Sequence, residues 1–144
     1  MNKIYENYKK ILPIPQGESE FYWNKASEGE LWIQKCNQCS ESYFFPRGIS
    51  PCCFSRDTEW VISSGRGGVY AFSIIHRSPN QGFQDEAPFI IAIVELHEGP
   101  RMATNIVGIE DPTPEKIRIG MEVVVTFDKI TEELNLPKFK LVKN

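Results

Sequence analysis

The residues best suited to chemistry lie in one short stretch. It reads Cys36-Asn37-Gln38-Cys39, then Tyr43-Phe44-Phe45-Pro46-Arg47, then Ser50-Pro51-Cys52-Cys53, and it holds all four cysteines of the 144-residue chain. Two thiols spaced C-x-x-C converge on one tetrahedral metal because a tight turn brings both sulfurs to the same side. A second thiol group, returned by a short hairpin, completes such a site. This is the layout of a zinc ribbon, and Cys36, Cys39, Cys52 and Cys53 are its candidate ligands. Cys52 and Cys53 are adjacent, and adjacent side chains on an extended backbone point to opposite faces. Both therefore reach one metal only through a local distortion. Three readings compete: zinc held by Cys36, Cys39, Cys53 and a fourth donor (Cys52 or water), a metal-free ribbon held by its aromatic hairpin, and rubredoxin-like iron or a disulfide.

Other reactive groups are few. His76 stands at a strand end beside Arg77, and His97 lies in a turn. A nucleophilic role for Cys52 needs a lowered pKa, and only Arg47 and Arg56 are near it in sequence. No nucleophile elbow, Walker loop or dinucleotide fingerprint is present. The run Gly65-Arg66-Gly67-Gly68 reads as a flexible turn in preference to a phosphate cradle. The chain is expected to carry no catalytic centre of its own.

The elements that must position the cysteines follow from periodicity and punctuation. Pro13, Pro15 and Gly17 break any helix begun earlier, and Ser19–Ala26 reads as a short helix with an aromatic face of Phe21, Tyr22 and Trp23, ended by Gly29. Leu31–Lys35 and Tyr43–Phe45 form a hairpin with the C-x-x-C at its tip. Beyond Cys53 the chain is β-rich: Trp60–Ser63, Val69–His76, Phe89–Leu96, Arg101–Val107, Met121–Asp128 and Pro137–Val142 read as strands. Phe89–Leu96 is apolar but for Glu95, which predicts a strand covered on both faces. Thr113-Pro114 opens one helical turn. The fold class is thus mainly β: an N-terminal helical segment (1–30), a ribbon-like module (31–58) and a small closed barrel of the five-stranded OB type (59–144).

Composition narrows the function. Apolar residues make up 41 % of the chain and aromatics 12 %, enough for a core, while the formal charge is -3. That balance argues against a generic nucleic-acid binder, which needs a basic face to release counterions. No apolar run approaches the roughly 20 residues that span a bilayer, and Met1–Glu6 lacks a secretory apolar region. A cytoplasmic location is expected, where clustered cysteines favour metal over disulfide.

The ordered set Phe21-Tyr22-Trp23, Cys36-x-x-Cys39, Phe45-Pro46-Arg47, Pro51-x-Cys53, Trp60, Ser64-Gly65-Arg66-Gly67-Gly68-Val69-Tyr70, Ile75-His76-Arg77, Pro88-Phe89, Val94-Glu95-Leu96, Glu98-Gly99-Pro100-Arg101, Gly120-Met121-x-Val123 and Pro137-Lys138-Phe139 resembles domain-of-unknown-function family thirty-five. The resemblance covers nearly everything from about residue 18 onward. It implies an N-terminal helix, a rubredoxin-like zinc ribbon and an OB-fold. It also implies a non-catalytic, acyl-CoA-associated accessory subunit that partners a thiolase-superfamily or hydratase enzyme. In the family pattern Ser50 stands at the third cysteine, and Ser40 and Phe54 stand where each knuckle has a glycine. Acyl-CoA pairs an anionic nucleotide with an apolar tail, so Arg47, Arg66, Arg77, Arg101 and Trp23 are the candidate ligand contacts. Trp23, Trp32, Tyr43 and Phe44 are candidate exposed aromatics for a partner interface. The alternatives are a nucleic-acid module with stacking aromatics in a basic groove, and a stand-alone thioester enzyme dependent on His76 or Cys52.

Overall fold

The computed structural model describes residues 8–142; the first seven residues of the expected N-terminal segment lie outside them. A 3-10 turn (Gly17–Ser19) runs into helix α1 (Glu20–Ser27). Tyr22 and Ala26, four residues apart, form its buried stripe. Gly29, at φ 80°, turns the chain out of the helix as expected. The helix end is tied from far along the chain: Asn135 Nδ2 donates to the carbonyls of Ala26 (3.0 Å) and Ser27 (3.3 Å), two of the last carbonyls of the helix.

The ribbon sheet contains β1 (Trp32–Cys36), β2 (Ser42–Tyr43) and β3 (Thr58–Ile62) in the order β2-β1-β3. The expected second strand is shorter than its sequence suggests. It stops at Tyr43, and a cis peptide joins Phe44 to Phe45. The strand read at Trp60 pairs along its length with β1, from Cys36 opposite Thr58 to Trp32 opposite Ile62. It therefore joins the ribbon sheet, and a boundary at 58/59 falls inside β3.

Five strands close the barrel: β4 (Arg66–Ile75), β5 (Phe89–Leu96), β6 (Arg101–Val107), β7 (Glu122–Lys129) and β8 (Asn135–Leu141), ordered β4-β5-β6-β8-β7. Closure is made by the parallel pair β6–β8, with Ile106 opposite Phe139; the other pairs are antiparallel. Val69, Ile90, Val94, Val123 and Phe139 fill the interior. Strand β5 differs from expectation. Ile90, Ala92, Val94 and Leu96 point inward, but Ile91 is 44 % exposed. A closed barrel has one interior, so a strand that is apolar but for Glu95 has a surplus face. That face borders a hollow under the short helix α2 (Gln81–Gln84).

The glycine run after Ser64 is not a flexible loop. Arg66, Gly67 and Gly68 begin β4, and a Cβ on Gly67 would collide with the backbone carbonyl of Glu95. Gly65, at φ 75°, leaves only 2.5 Å between a built Cβ and Val125 Cγ1. The missing side chains let strands approach.

The passage from ribbon to barrel is clamped. Glu98, in the β5–β6 turn, accepts a hydrogen bond from the Ser63 hydroxyl (2.8 Å) and another from the Ser64 backbone N–H (2.9 Å). Burial alone would raise its pKa, but these donors outweigh it and hold the carboxyl below its ordinary 4.5. The folded state thus binds fewer protons than the unfolded one in that window. The stabilisation is fully present above about pH 4.5 and is lost as pH falls through the depressed folded value. In urea unfolding, the gap between wild type and Glu98→Gln should be open at pH 7 and narrow steadily below pH 4.5. Among the described residues, no helix is long and apolar enough to cross a membrane.

Candidate functional site

Two knuckles face each other at the end of the ribbon. In the first, Ser40 N–H donates to Cys36 O at 2.9 Å; in the second, Phe54 N–H donates to Ser50 O at 2.9 Å. Ser40 (φ 64°) and Phe54 (φ 61°) both take the left-handed conformation that glycine adopts at no steric cost. The knuckles therefore form without their glycines, at the cost of local backbone strain.

The thiols of Cys36, Cys39 and Cys53 lie within 4.8 Å of one another, with Cys36 Sγ to Cys53 Sγ at 3.4 Å. A tetrahedral zinc with Zn–S bonds of about 2.3 Å sets sulfurs roughly 3.8 Å apart, so the three fit one ion. Cys36 is buried, and the Cys39 backbone N–H, opposed by burial and joined by Gln38 N–H and the nearby Cys53 and Ser50 side chains, holds its thiol down at about 6. A thiol poised as thiolate is the form a metal needs. Cys52, an expected ligand, stands outside this cluster and is exposed. With Cys53 turned inward, its neighbour is left on the outer side. The Glu41 carboxylate, then the Cys39 thiol, push Cys52 up to about 12, the wrong direction for a nucleophile.

The candidate arginines do not form one patch. Arg66 and Arg101 lie at one end of the barrel, where His97 N–H bonds Arg66 O and Arg101 leads β6. Arg77 follows the other end of β4, a ten-residue strand roughly 30 Å long at about 3.3 Å per residue. Arg101 is already engaged, its Nε on Glu95 at 2.8 Å and its guanidinium 3.8 Å from the Tyr70 ring centre. Arg47 is exposed in the ribbon loop, its Nε on Phe45 O at 3.2 Å. His76 and His97 are exposed and sit at opposite ends of β4, so they share no site.

Trp23 and Arg77 border adjoining hollows instead. One, of 610 Å³, is lined by Ile75, Arg77, Phe83, Phe89 and Ile91; the next, of 360 Å³, by Trp23, Phe44, Phe45, Met102 and Pro137. Both include Ala103, Thr104 and Asn105 of β6, so they form one apolar trough from ribbon to α2. Residues 8–13 wall its flank, with Lys10 Nζ 2.6 Å from Glu86 and 4.3 Å from the Phe83 ring centre.

The aromatics expected on the surface are largely covered. Tyr43 is buried, its hydroxyl donating to Arg47 O at 2.8 Å, and Trp23, Trp32 and Phe44 are half-buried in ring contacts with Tyr22 and Phe21. The apolar side chains that do face outward on the ribbon are Phe45, Ile49, Ile62 and Phe54, the last 78 % exposed.

A two-knuckle ribbon joined to a five-stranded barrel defines the class: a rubredoxin-like zinc ribbon followed by an OB-fold. The family model for the rubredoxin-like zinc ribbon domain of ChsH2 matches residues 23–59, and that for the C-terminal OB-fold domain of ChsH2 matches residues 60–128. A DUF35 domain-containing scaffold protein of Methanocaldococcus jannaschii is 42 % identical over 101 residues, 69 % of this chain and 68 % of the relative. The chain belongs to the DUF35 family. A probable enoyl-CoA hydratase alpha subunit of Thermomonospora curvata is 38 % identical over 134 residues, 92 % of this chain but only 40 % of that relative's length. Among solved structures, the Ltp2-ChsH2(DUF35) aldolase aligns with a TM-score of 0.77 and 37 % identity, covering 90 % of this chain and 98 % of that one. A DUF35 protein of Sulfolobus solfataricus shares the fold at 16 % identity and a TM-score of 0.61.

Proposed function

We propose that this chain is an accessory scaffold subunit, without a catalytic centre of its own, that works beside a thiolase-superfamily or hydratase-type enzyme handling acyl-CoA. The observation that carries this is its likeness to the chain of the Ltp2-ChsH2(DUF35) aldolase, matched over 98 % of that chain's length. On this reading the ribbon carries a structural zinc held by Cys36, Cys39 and Cys53. The apolar trough takes the acyl portion, with Trp23 and Arg77 at its edges. Arg47 and Arg66 remain available for the nucleotide phosphates, and Arg101 would first have to leave Glu95.

The nucleic-acid alternative finds little support in the trough's charges. Lys10 is paired with Glu86 and Lys138 with Asp128, which leaves few free cations to release counterions.

Phe54 marks the partner-facing side. An aromatic in left-handed backbone costs about 1 kcal/mol where glycine costs little, and the exposed ring gains little burial in return. Strain kept without a folding benefit suits a contact residue. Phe54→Gly is expected to raise the stability of the isolated chain by up to about 1 kcal/mol while weakening its capture of the enzyme. The deciding experiment is co-expression with thiolase- and hydratase-type enzymes encoded beside it, followed by affinity purification and acyl-CoA calorimetry. A stable complex whose turnover needs this chain supports the reading. No co-purifying enzyme and no acyl-CoA heat would end it.

A further inference from the structure

The two knuckles are built alike. Each has an N–H returning to a carbonyl four residues earlier, and each closes with a left-handed residue. By that register Cys53 corresponds to Cys39, and Ser50 corresponds to Cys36. Both Cys36 and Ser50 are 0 % exposed. Ser50 Oγ accepts the backbone N–H of Cys52 at 3.3 Å, and the N–H of Gln38, at the equivalent position of the first knuckle, is likewise turned toward Cys36 Sγ. It also lies 3.9 Å from Cys39 Sγ, close to the edge length of a zinc tetrahedron.

We propose that the fourth corner of this metal site is the hydroxyl oxygen of Ser50, giving a three-thiolate, one-oxygen centre with Cys52 outside it. The inference rests on the zinc reading above. Zinc uptake forms three Zn–S bonds, and each sulfur that still carries a proton releases it to solvent. The serine O–H stays intact as a neutral donor, so the centre carries one net negative charge where a four-thiolate ribbon carries two. A borderline-soft ion prefers sulfur, so this centre holds zinc less tightly than a four-cysteine ribbon and exchanges it faster.

Cobalt substitution of the full chain reads the donor set directly. Wild type is expected to show thiolate-to-cobalt charge transfer of three Co–S bonds and d–d bands blue-shifted from a four-sulfur site. Ser50→Cys should raise the charge-transfer intensity by about one third, the gain of a fourth thiolate on three, and shift the d–d bands to the red. It should also tighten zinc at least about tenfold in chelator competition, the lower bound for changing even an outer partner. Cys52→Ser removes a thiol that neighbours Cys39 but stands outside the cluster, so it should leave the charge-transfer intensity unchanged. Ser50→Ala should keep the charge transfer but shift the d–d bands and weaken zinc. If Cys52→Ser removes charge-transfer intensity while Ser50→Ala changes nothing, Cys52 is the fourth ligand and the proposal is wrong. A wild-type four-thiolate spectrum overturns it too but leaves the accessory role intact, whereas no cobalt or zinc uptake at all overturns the zinc reading with it.

Discussion

Cys36→Ser is expected to abolish zinc retention and unfold the ribbon. Three features converge on this residue. Its sulfur is one of three within 4.8 Å, it is fully buried, and its backbone pairs with Thr58 at the end of β1. The binding energy of a structural zinc is folding energy, about 10–16 kcal/mol in small zinc modules, and losing one of three thiolates forfeits much of it. The check is metal content after gel filtration together with thermal unfolding followed by circular dichroism. A strong chelator should do to wild type what the substitution does. A zinc-free wild type with a near-neutral Cys36→Ser would instead mean that the ribbon is held by the Tyr22, Phe44 and Phe45 rings, whose centres lie 5.3 to 6.1 Å apart.

Phe139→Ala should cost about 3–5 kcal/mol, the usual range for emptying a buried phenylalanine site. The ring is 0 % exposed and belongs to β8, the strand inserted between β6 and β7 to close the barrel. Its backbone faces Ile106 across the parallel pair and Val125 across the antiparallel one. The cavity would therefore open at the seam, where the surrounding strands have least freedom to collapse. Urea unfolding with an unchanged m-value is the expected signature. A loss below about 1 kcal/mol would show that the seam relaxes around the hole.

Much of the architecture was legible in the residues. Proline and glycine punctuation set the helix within a residue, and alternation from Met121 to Asp128 anticipated β7. The run Phe89–Leu96, apolar but for Glu95, points both ways because sequence cannot separate a strand sandwiched by two layers from one whose outer face lines a groove. The arginines fall in loops or at strand ends, Arg66 and Arg101 opening β4 and β6, but only strand length and register show that Arg77 lies a barrel's length from those two. The covering of Tyr43 and Phe44 escapes the sequence for a related reason. A two-residue strand such as Ser42–Tyr43 is too short for alternation to tell which ring faces inward. In the cysteine stretch, Ser40, Ser50 and Phe54 read as losses from a pattern. The hydrogen bonds and left-handed angles that keep both knuckles intact have no signal in residue type.

The Glu98 clamp has a mechanical consequence. Ser63 and Ser64 are the whole distance between the last ribbon residue of β3, Ile62, and the packed Gly65, and both are held by one carboxylate from the far turn. A joint this short cannot act as a swivel. A force applied to Phe54 at the ribbon tip must be transmitted through β1 and β3 as through a rigid crank, arriving at the β5–β6 turn and the trough wall behind it. The ribbon is then less an anchor for the barrel than its lever arm.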